Sequence, residues 1–264
     1  MLIYRKHLIT KMECWFKEES LSDPSDVDII YYYFQKKVPE TSSIQVNDVY
    51  TIVIDLEEDK DILWRKIDGQ TRRHISRAEK KDDVEYEFLE KINQATLESF
   101  ADFYDVFASH QGLSRVDRNL LKAYWNVGAL SLSRMKSGMG LVFSWHSWLV
   151  WNGRAYGMHF PSHRNTEDSS YRNMIGRINR YHYWRDILQF KDMGISTFDF
   201  GGWYSGNTNK KLLNINRFKE GFGGEVLREF NYRKGISFKG KLFLEMRDLT
   251  LHATKHIDHL KSIQ

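Results

Sequence analysis

Three side chains in the second half of the chain are of types that move protons or steady negative charge: His146, Asp199 and Lys219. His146 lies in an aromatic run, Phe143-Ser-Trp-His146-Ser-Trp148. Extended chain alternates faces, so His146 shares one face with Ser144 and Trp148, opposite Trp145. An imidazole there can act as a base or rest as a hydrogen-bonded core residue. Asp199 precedes Gly201-Gly202-Trp203. It can accept a proton, hold an amine or cap the following loop, and the two glycines let backbone come close to a ligand. Lys219 stands between Phe218 and Phe222. Its ammonium can neutralise an oxyanion or a phosphate, or remain on the surface. Asn173, Gly176, Asn179 and His182 recur every three residues on one helical segment. Such a polar seam either lines a cleft or is hydrogen-bonded against neighbouring strands. Arg172 opens the same segment behind cap candidates Ser169 and Ser170, where first-turn N–H groups suit a phosphate.

Other chemistries find little support. The chain contains no Gly-x-x-x-x-Gly-Lys-Ser/Thr loop, no Gly-x-Gly-x-x-Gly and no Gly-x-Ser-x-Gly elbow. His252, His256 and His259 have helical spacing but read as a solvated face rather than a metal site. The one cysteine, Cys14, excludes a disulfide framework and reads as a buried or incidental thiol rather than a nucleophile.

The elements that must position these residues follow from periodicity and turn signals. Strands are expected over 29–34, 50–56, 84–89, 131–135, 140–150, 154–160, 195–200 and 225–232. Helices are expected over 61–81 with an interruption at Gly69, then 96–110, 118–127, 171–193, 216–222 and from Lys239 onward. Residues from 204 to about 214 read as loop. Asn152-Gly153 predicts a tight hairpin between adjacent antiparallel strands. Mixed strands with an antiparallel hairpin followed by helix, strand, helix, strand make the class α+β, or mixed α/β.

With 264 residues and 14% aromatics, the chain can bury a real core without staples. No apolar run reaches the ~18–20 residues of a membrane span, and no signal peptide is visible, so a cytoplasmic protein is expected. The net charge of +4 is small, but its distribution is uneven. Residues 65–81 carry 7 Lys/Arg against two acids, and residues 210–241 carry 9 against three. Such stretches attract phosphates or form solvated faces.

Three segments together carry a resemblance: Arg172-Asn-Met-Ile-Gly176 through Asp186, Asp199-Phe-Gly-Gly202, and Phe218-Lys-x-x-Phe222-Gly-Gly224. With the basic segment Arg72-Arg-His-Ile75-Ser-Arg-Ala78, they resemble the FemABX-like branch of the GNAT N-acyltransferase superfamily over residues 50–232. The resemblance implies a GNAT-like fold of two related lobes, a smaller one over 1–110 and one over 111–264 that carries the motifs. It implies amide-bond formation between an activated acyl group and an amine, such as an amino sugar or cell-envelope precursor. The donor it implies is acyl-CoA or aminoacyl-tRNA, with no metal, so the partners are a phosphate-bearing donor, tRNA in one case, and an amine acceptor. Lys219, Asp199 and His146 are then the catalytic set. Arg172, Asn173, Asn179, His182, Gly201, Gly202 and Trp203 are the binding set, all converging on one cleft. The helical-hairpin insertion of longer members is not visible, and the coenzyme A loop Gln/Arg-x-x-Gly-x-Gly/Ala is not matched. An aminoacyl-tRNA-dependent transferase and a non-catalytic GNAT-like binding module therefore stand as alternatives.

Overall fold

The computed structural model describes residues 2–6, 8–16, 24–38, 46–164 and 167–247. His252, His256 and His259 lie outside the described residues. Contacts divide the chain into two units, 1–49 with 229–264, and 50–228. This differs from the boundary expected at residue 110. The reason lies in the pairing described below: the segments just after residue 50 pack and hydrogen-bond with elements after residue 111.

In the smaller unit, β1 (Leu2–Lys6) pairs antiparallel with β2 (Ile9–Trp15), and β2 pairs parallel with β3 (Ile29–Gln35). Only β3 was legible among these. Met12, Cys14, Ile30 and Tyr32 form part of its core, so the lone thiol is buried as expected.

The larger unit takes β4 (Val46–Asp55) from Tyr50 onward. Two helices follow, α1 (Lys60–Lys66) and α2 (Gly69–Lys81). The expected interruption is real: Ile67 and Asp68 are extended, and the Asp68 carboxylate accepts from the backbone N–H of Gln70 and Thr71 to start α2. Arg72 of the basic stretch donates to the carbonyls of Trp64, Arg65 and Ile67, so it closes the end of α1. Next come β5 (Glu85–Phe88), α3 (Gln94–Gln111), α4 (Arg118–Asn126), β6 (Leu130–Lys136), β7 (Val142–Trp151) and β8 (Arg154–His159). Asn152 (φ 47°) and Gly153 (φ 74°) make the tight turn between β7 and β8, as their dipeptide demands.

The long helix α5 (Ser169–Asp192) then crosses to β9 (Thr197–Gly202), which pairs parallel with β8 and antiparallel with β4. The strand order is β4-β9-β8-β7-β6-β5, a mixed sheet in which the hairpin and β9 are neighbours. Helix α6 (Lys210–Glu220) follows, and β10 (Glu225–Gly235) returns to pair antiparallel with β3 through residues 230–235. Helix α6 corrects the expectation of loop to about residue 214. The Asn209 side chain accepts from the backbone N–H of Lys211 and Leu212 and starts the helix at 210.

One face of this sheet is covered by α5, on which α2 packs, joined by Arg177 to Asp82 at 2.9 and 3.0 Å. Trp148, Ile178, Phe190, Phe198 and Phe200 are fully buried there. The other face meets α3, where Phe100 stacks edge-on to Trp145 at 6.0 Å. Strand β7 is therefore covered on both sides, and its side chains at 144, 146 and 148 all turn toward α5.

Candidate active site

Helix α5 brings two polar side chains into the core beneath β7, His182 and Asp186, one turn apart and both fully buried. His146 meets them from β7. Its Nδ1 lies 2.6 Å from Asp186 Oδ2. Asp186 Oδ1 accepts from the Tyr86 hydroxyl at 2.8 Å. The carboxylate therefore holds the imidazole proton on Nδ1 and leaves Nε2 as the basic atom. Nε2 has no hydrogen-bond partner among the described residues, and His146 lines a cleft. His182 stacks flat on His146 at 3.5 Å, with a 6° tilt. Its two nitrogens are engaged by Ser144 at 2.8 Å and Ser133 at 2.9 Å. The polar seam of α5 is satisfied at this depth by two serines, one from each adjacent strand.

Burial sets the charges. It holds the His146 and His182 imidazoles well below the usual histidine range, and it raises the Asp186 carboxyl to about 6. At neutral pH the pair is thus a neutral imidazole hydrogen-bonded through Nδ1 to a carboxylate, with the lone pair on Nε2. His146, His182 and Asp186 also offer three ligand atoms within 4.8 Å of one another. The stacked rings do not suit an ion. Each nitrogen lone pair lies in its own ring plane, so two parallel rings aim past a shared centre.

The cleft above His146 has a volume of about 1490 Å³. It is walled by α3, by the segment after β8, by α5 and by α6. Lys219, buried on α6, donates from Nζ to the carbonyls of Gly201 at 3.0 Å and Gly202 at 2.5 Å, and it also lines the cleft. Burial lowers its ammonium to about 8, against the pull of Asp199. Arg164, Arg172 and Lys211 line the same space. The Asn179 Oδ1 is buried without a hydrogen-bond partner on the cleft wall. Of the expected site residues, Lys219, His146, Arg172 and Asn179 all line this cleft.

The rest of the expected set is placed elsewhere. Asp199 is fully buried away from the cleft. Arg154 donates to it from Nε at 2.8 Å and Nη2 at 2.5 Å, Thr51 donates its hydroxyl, and Gly201 donates its N–H at 2.8 Å. Burial raises its carboxyl and Arg154 opposes that rise. A carboxylate met by four donors is a structural anchor rather than a base facing substrate. Gly201 has φ +72°, and a Cβ there would sit 2.6 Å from the Gly157 carbonyl, so its freedom serves strand packing. Gly202 holds Lys219 through its carbonyl. Trp203 packs against the core, with its N–H on the Tyr50 carbonyl at 2.7 Å. Asn173 is exposed and does not line the cleft. His182 supports His146 from within the core. The start of α5 is capped by Asp168, whose carboxylate accepts from Ser170 and Tyr171. A negative group already occupies the first-turn N–H groups that were expected to hold a phosphate. The positive charge that lines the cleft is therefore that of side chains, Arg164, Arg172, Lys211 and Lys219.

No protein-family model matches the chain, and no curated protein matches it. Solved structures do. FemX superposes with a TM-score of 0.56 at 12% identity, over 69% of this chain and 61% of that one. L-PGS from Bacillus licheniformis gives 0.50 at 11%, over 77% and 67%. The C-terminal domain of a putative lysylphosphatidylglycerol synthetase from Agrobacterium fabrum gives 0.50 at 11%, over 82% and 71%. At these identities the likeness is one of fold, and this chain spans about three-fifths of FemX. The mixed α/β fold is thus one that this chain shares with FemX, in keeping with the FemABX-like resemblance of the motifs in the second half.

Proposed function

We propose that this protein is an N-acyltransferase, joining an activated acyl or aminoacyl group to an amine in the cleft above His146. The observation that carries the reading is the imidazole held on a buried carboxylate, with its Nε2 turned to a cleft that also contains a buried lysine. An attacking amine forms its C–N bond at the acyl carbonyl as the carbonyl becomes an oxyanion. His146 Nε2 takes the proton that the amine nitrogen loses, then returns it to the thiol or hydroxyl that leaves as the acyl–donor bond breaks. The Lys219 ammonium faces the oxyanion or the donor phosphate. The Asn179 Oδ1 accepts an N–H of the acceptor, the donor it otherwise lacks. Arg164, Arg172 and Lys211 supply positive charge for donor phosphates.

The capped start of α5 favours a donor whose phosphates are held by side chains. That fits aminoacyl-tRNA as well as an acyl thioester, and the exposed Arg73, Arg77, Lys80 and Lys81 of α2 are the further basic surface a tRNA would use. The reaction belongs to the cytoplasm, where both donor classes occur, and no helix among the described residues is long and apolar enough to cross a membrane. A direct test incubates the protein with acyl-CoAs or charged tRNA and a panel of amino sugars and envelope precursors, and reads amide products by mass spectrometry. Failure of every donor to yield an amide would leave the binding-module alternative.

Two expected results belong to this site. Lys219→Met should lower turnover by about 10²–10³-fold in a protein that stays folded, the effect of removing one oxyanion donor. A change under threefold would remove Lys219 from the chemistry. The pH profile carries a second test. Lys219 is lowered to about 8 by burial, so it is cationic below that pH and neutral above it. Asp186 is raised to about 6, so the carboxylate that orients His146 is lost below that pH. Turnover with saturating substrates should therefore rise through about pH 6 and fall through about pH 8. In Lys219→Arg, whose guanidinium does not titrate there, the alkaline fall should vanish. An alkaline fall that persists in that variant belongs to another group.

A further inference from the structure

Helix α3 carries two apolar faces. Leu97, Phe100, Ala101 and Ala108 are buried against the sheet side. Phe103, Val106 and Phe107, at spacings of three and four, face the cleft instead. Across the cleft, Leu141 from the turn before β7 and Ile215 from α6 complete an apolar wall. These side chains are left open: Val106 is 59% exposed, Leu141 55% and Ile215 42%. Apolar groups lining a concave surface and facing water favour an apolar ligand over a peptide or sugar. The charge beside them is positive. Among the described lining residues the one acid is Asp102, and Arg118 pairs with it at 2.8 Å. The volume of about 1490 Å³ exceeds the ~300–1,000 Å³ of ordinary small-molecule sites, so the cleft has room for more than a short acyl group and its acceptor.

We infer that the acyl group this protein transfers is a long aliphatic chain, carried as a phosphopantetheine thioester, with the chain against the α3 wall and the phosphate on Arg164, Arg172 and Lys211. This rests on the acyl-transfer reading and names its donor. A thioester of this kind has a chain at one end, a phosphate at the other and the reacting carbonyl between them. The cleft has an apolar wall, a basic set and the His146–Lys219 pair lining one space. In transfer, the amine's new C–N bond forms as the C–S bond breaks, and the proton from the amine leaves on the phosphopantetheine thiol.

The test is a binding series with S-acyl-4′-phosphopantetheine from acetyl to lauroyl, below micelle-forming concentrations, followed by titration calorimetry. Each methylene buried on the wall should tighten binding by about fourfold, until the wall is covered. In Val106→Asp and Leu141→Asp, both at exposed positions, the chain-length dependence should flatten and lauroyl binding should fall more than tenfold, with melting temperature unchanged. Dissociation constants within twofold from acetyl to lauroyl, or an unaltered slope in both variants, would overturn the inference. Lauroyl-CoA and lauroyl carrier protein, compared in a second arm, identify which carrier presents the thioester. Failure here is distinguishable from failure of the acyl-transfer reading. A flat series with transfer from short donors removes only the long chain, whereas a steep series in a protein that makes no amide keeps the subsite and removes the reaction.

Discussion

His146→Gln is expected to lower turnover by about 10²–10⁴-fold, the span of a positioned general base. Glutamine keeps a polar side chain against Asp186 and so avoids abandoning a buried carboxylate, but its amide cannot take a proton from an ammonium. The loss should be largest near pH 7, where His146 is neutral and Asp186 ionised. It should shrink with acceptor amines of low basicity, which need less help to shed their proton. Asp186→Asn gives the companion measurement. The carboxamide leaves the ring in place but no longer fixes the proton on Nδ1, so kcat should fall while KM for both substrates stays within about threefold. A folded His146→Gln protein with turnover within threefold of the parent would reduce the cluster to a buried hydrogen-bond network.

The dyad shows what was and was not legible in the sequence. His146 could be read, because strand periodicity placed it with Ser144 and Trp148 on one face, and those three residues do face α5. His182 could be read as part of a polar seam. Asp186 was missed, although it stands four residues after His182 on the same face of α5. The seam was followed at a spacing of three, and a helix of 3.6 residues per turn drifts away from that spacing. One step of four would have found the carboxylate. Tyr86, Ser133 and Ser144 belong to separate strands, and only strand order puts them beside α5. Order between strands depends on long-range pairing that one-dimensional periodicity does not encode.

The same limit explains Asp199 and α3. Asp-Phe-Gly-Gly was visible as a motif, but its partner Arg154 is 45 residues away at the hairpin, and the pair is created by the parallel contact of β8 with β9. A helix was expected over 96–110, but its second apolar face could not be told from its first, because Phe103, Val106 and Phe107 have the same spacing as a core stripe. Only their exposure separates a cleft wall from a core face. Elements with strong local signals were found: the Asn152-Gly153 hairpin and the break before Gly69. The strands β1 and β2 had no such punctuation, and a short cap at Asn209 was enough to turn an expected loop into the first turns of α6.

Arg154→Met should destabilise the larger unit by about 3–5 kcal/mol, because it leaves the fully buried Asp199 without its cation. For a unit of this size each kcal/mol lowers the melting temperature by about 2–4 °C, so a fall of roughly 6–20 °C is expected. The cost is that of an uncompensated buried charge, not of a lost contact area, since methionine fills much of the same space. Adding Asp199→Asn should therefore recover at least half of the loss. The asparagine oxygen can still accept from the Thr51 hydroxyl and the Gly201 N–H, and no charge is left to solvate. If the double variant melts no higher than Arg154→Met alone, the two side chains are not coupled as an ion pair and Asp199 has another partner in the folded protein. If Arg154→Met itself melts within about 3 °C of the parent, the carboxyl is already neutral in the fold. The pair's link to the cleft is then also weaker, because the Gly201 carbonyl that receives Lys219 follows directly on the N–H that Asp199 holds. The melting curves of the two variants thus report on how firmly the end of β9, and with it the lysine, is fixed.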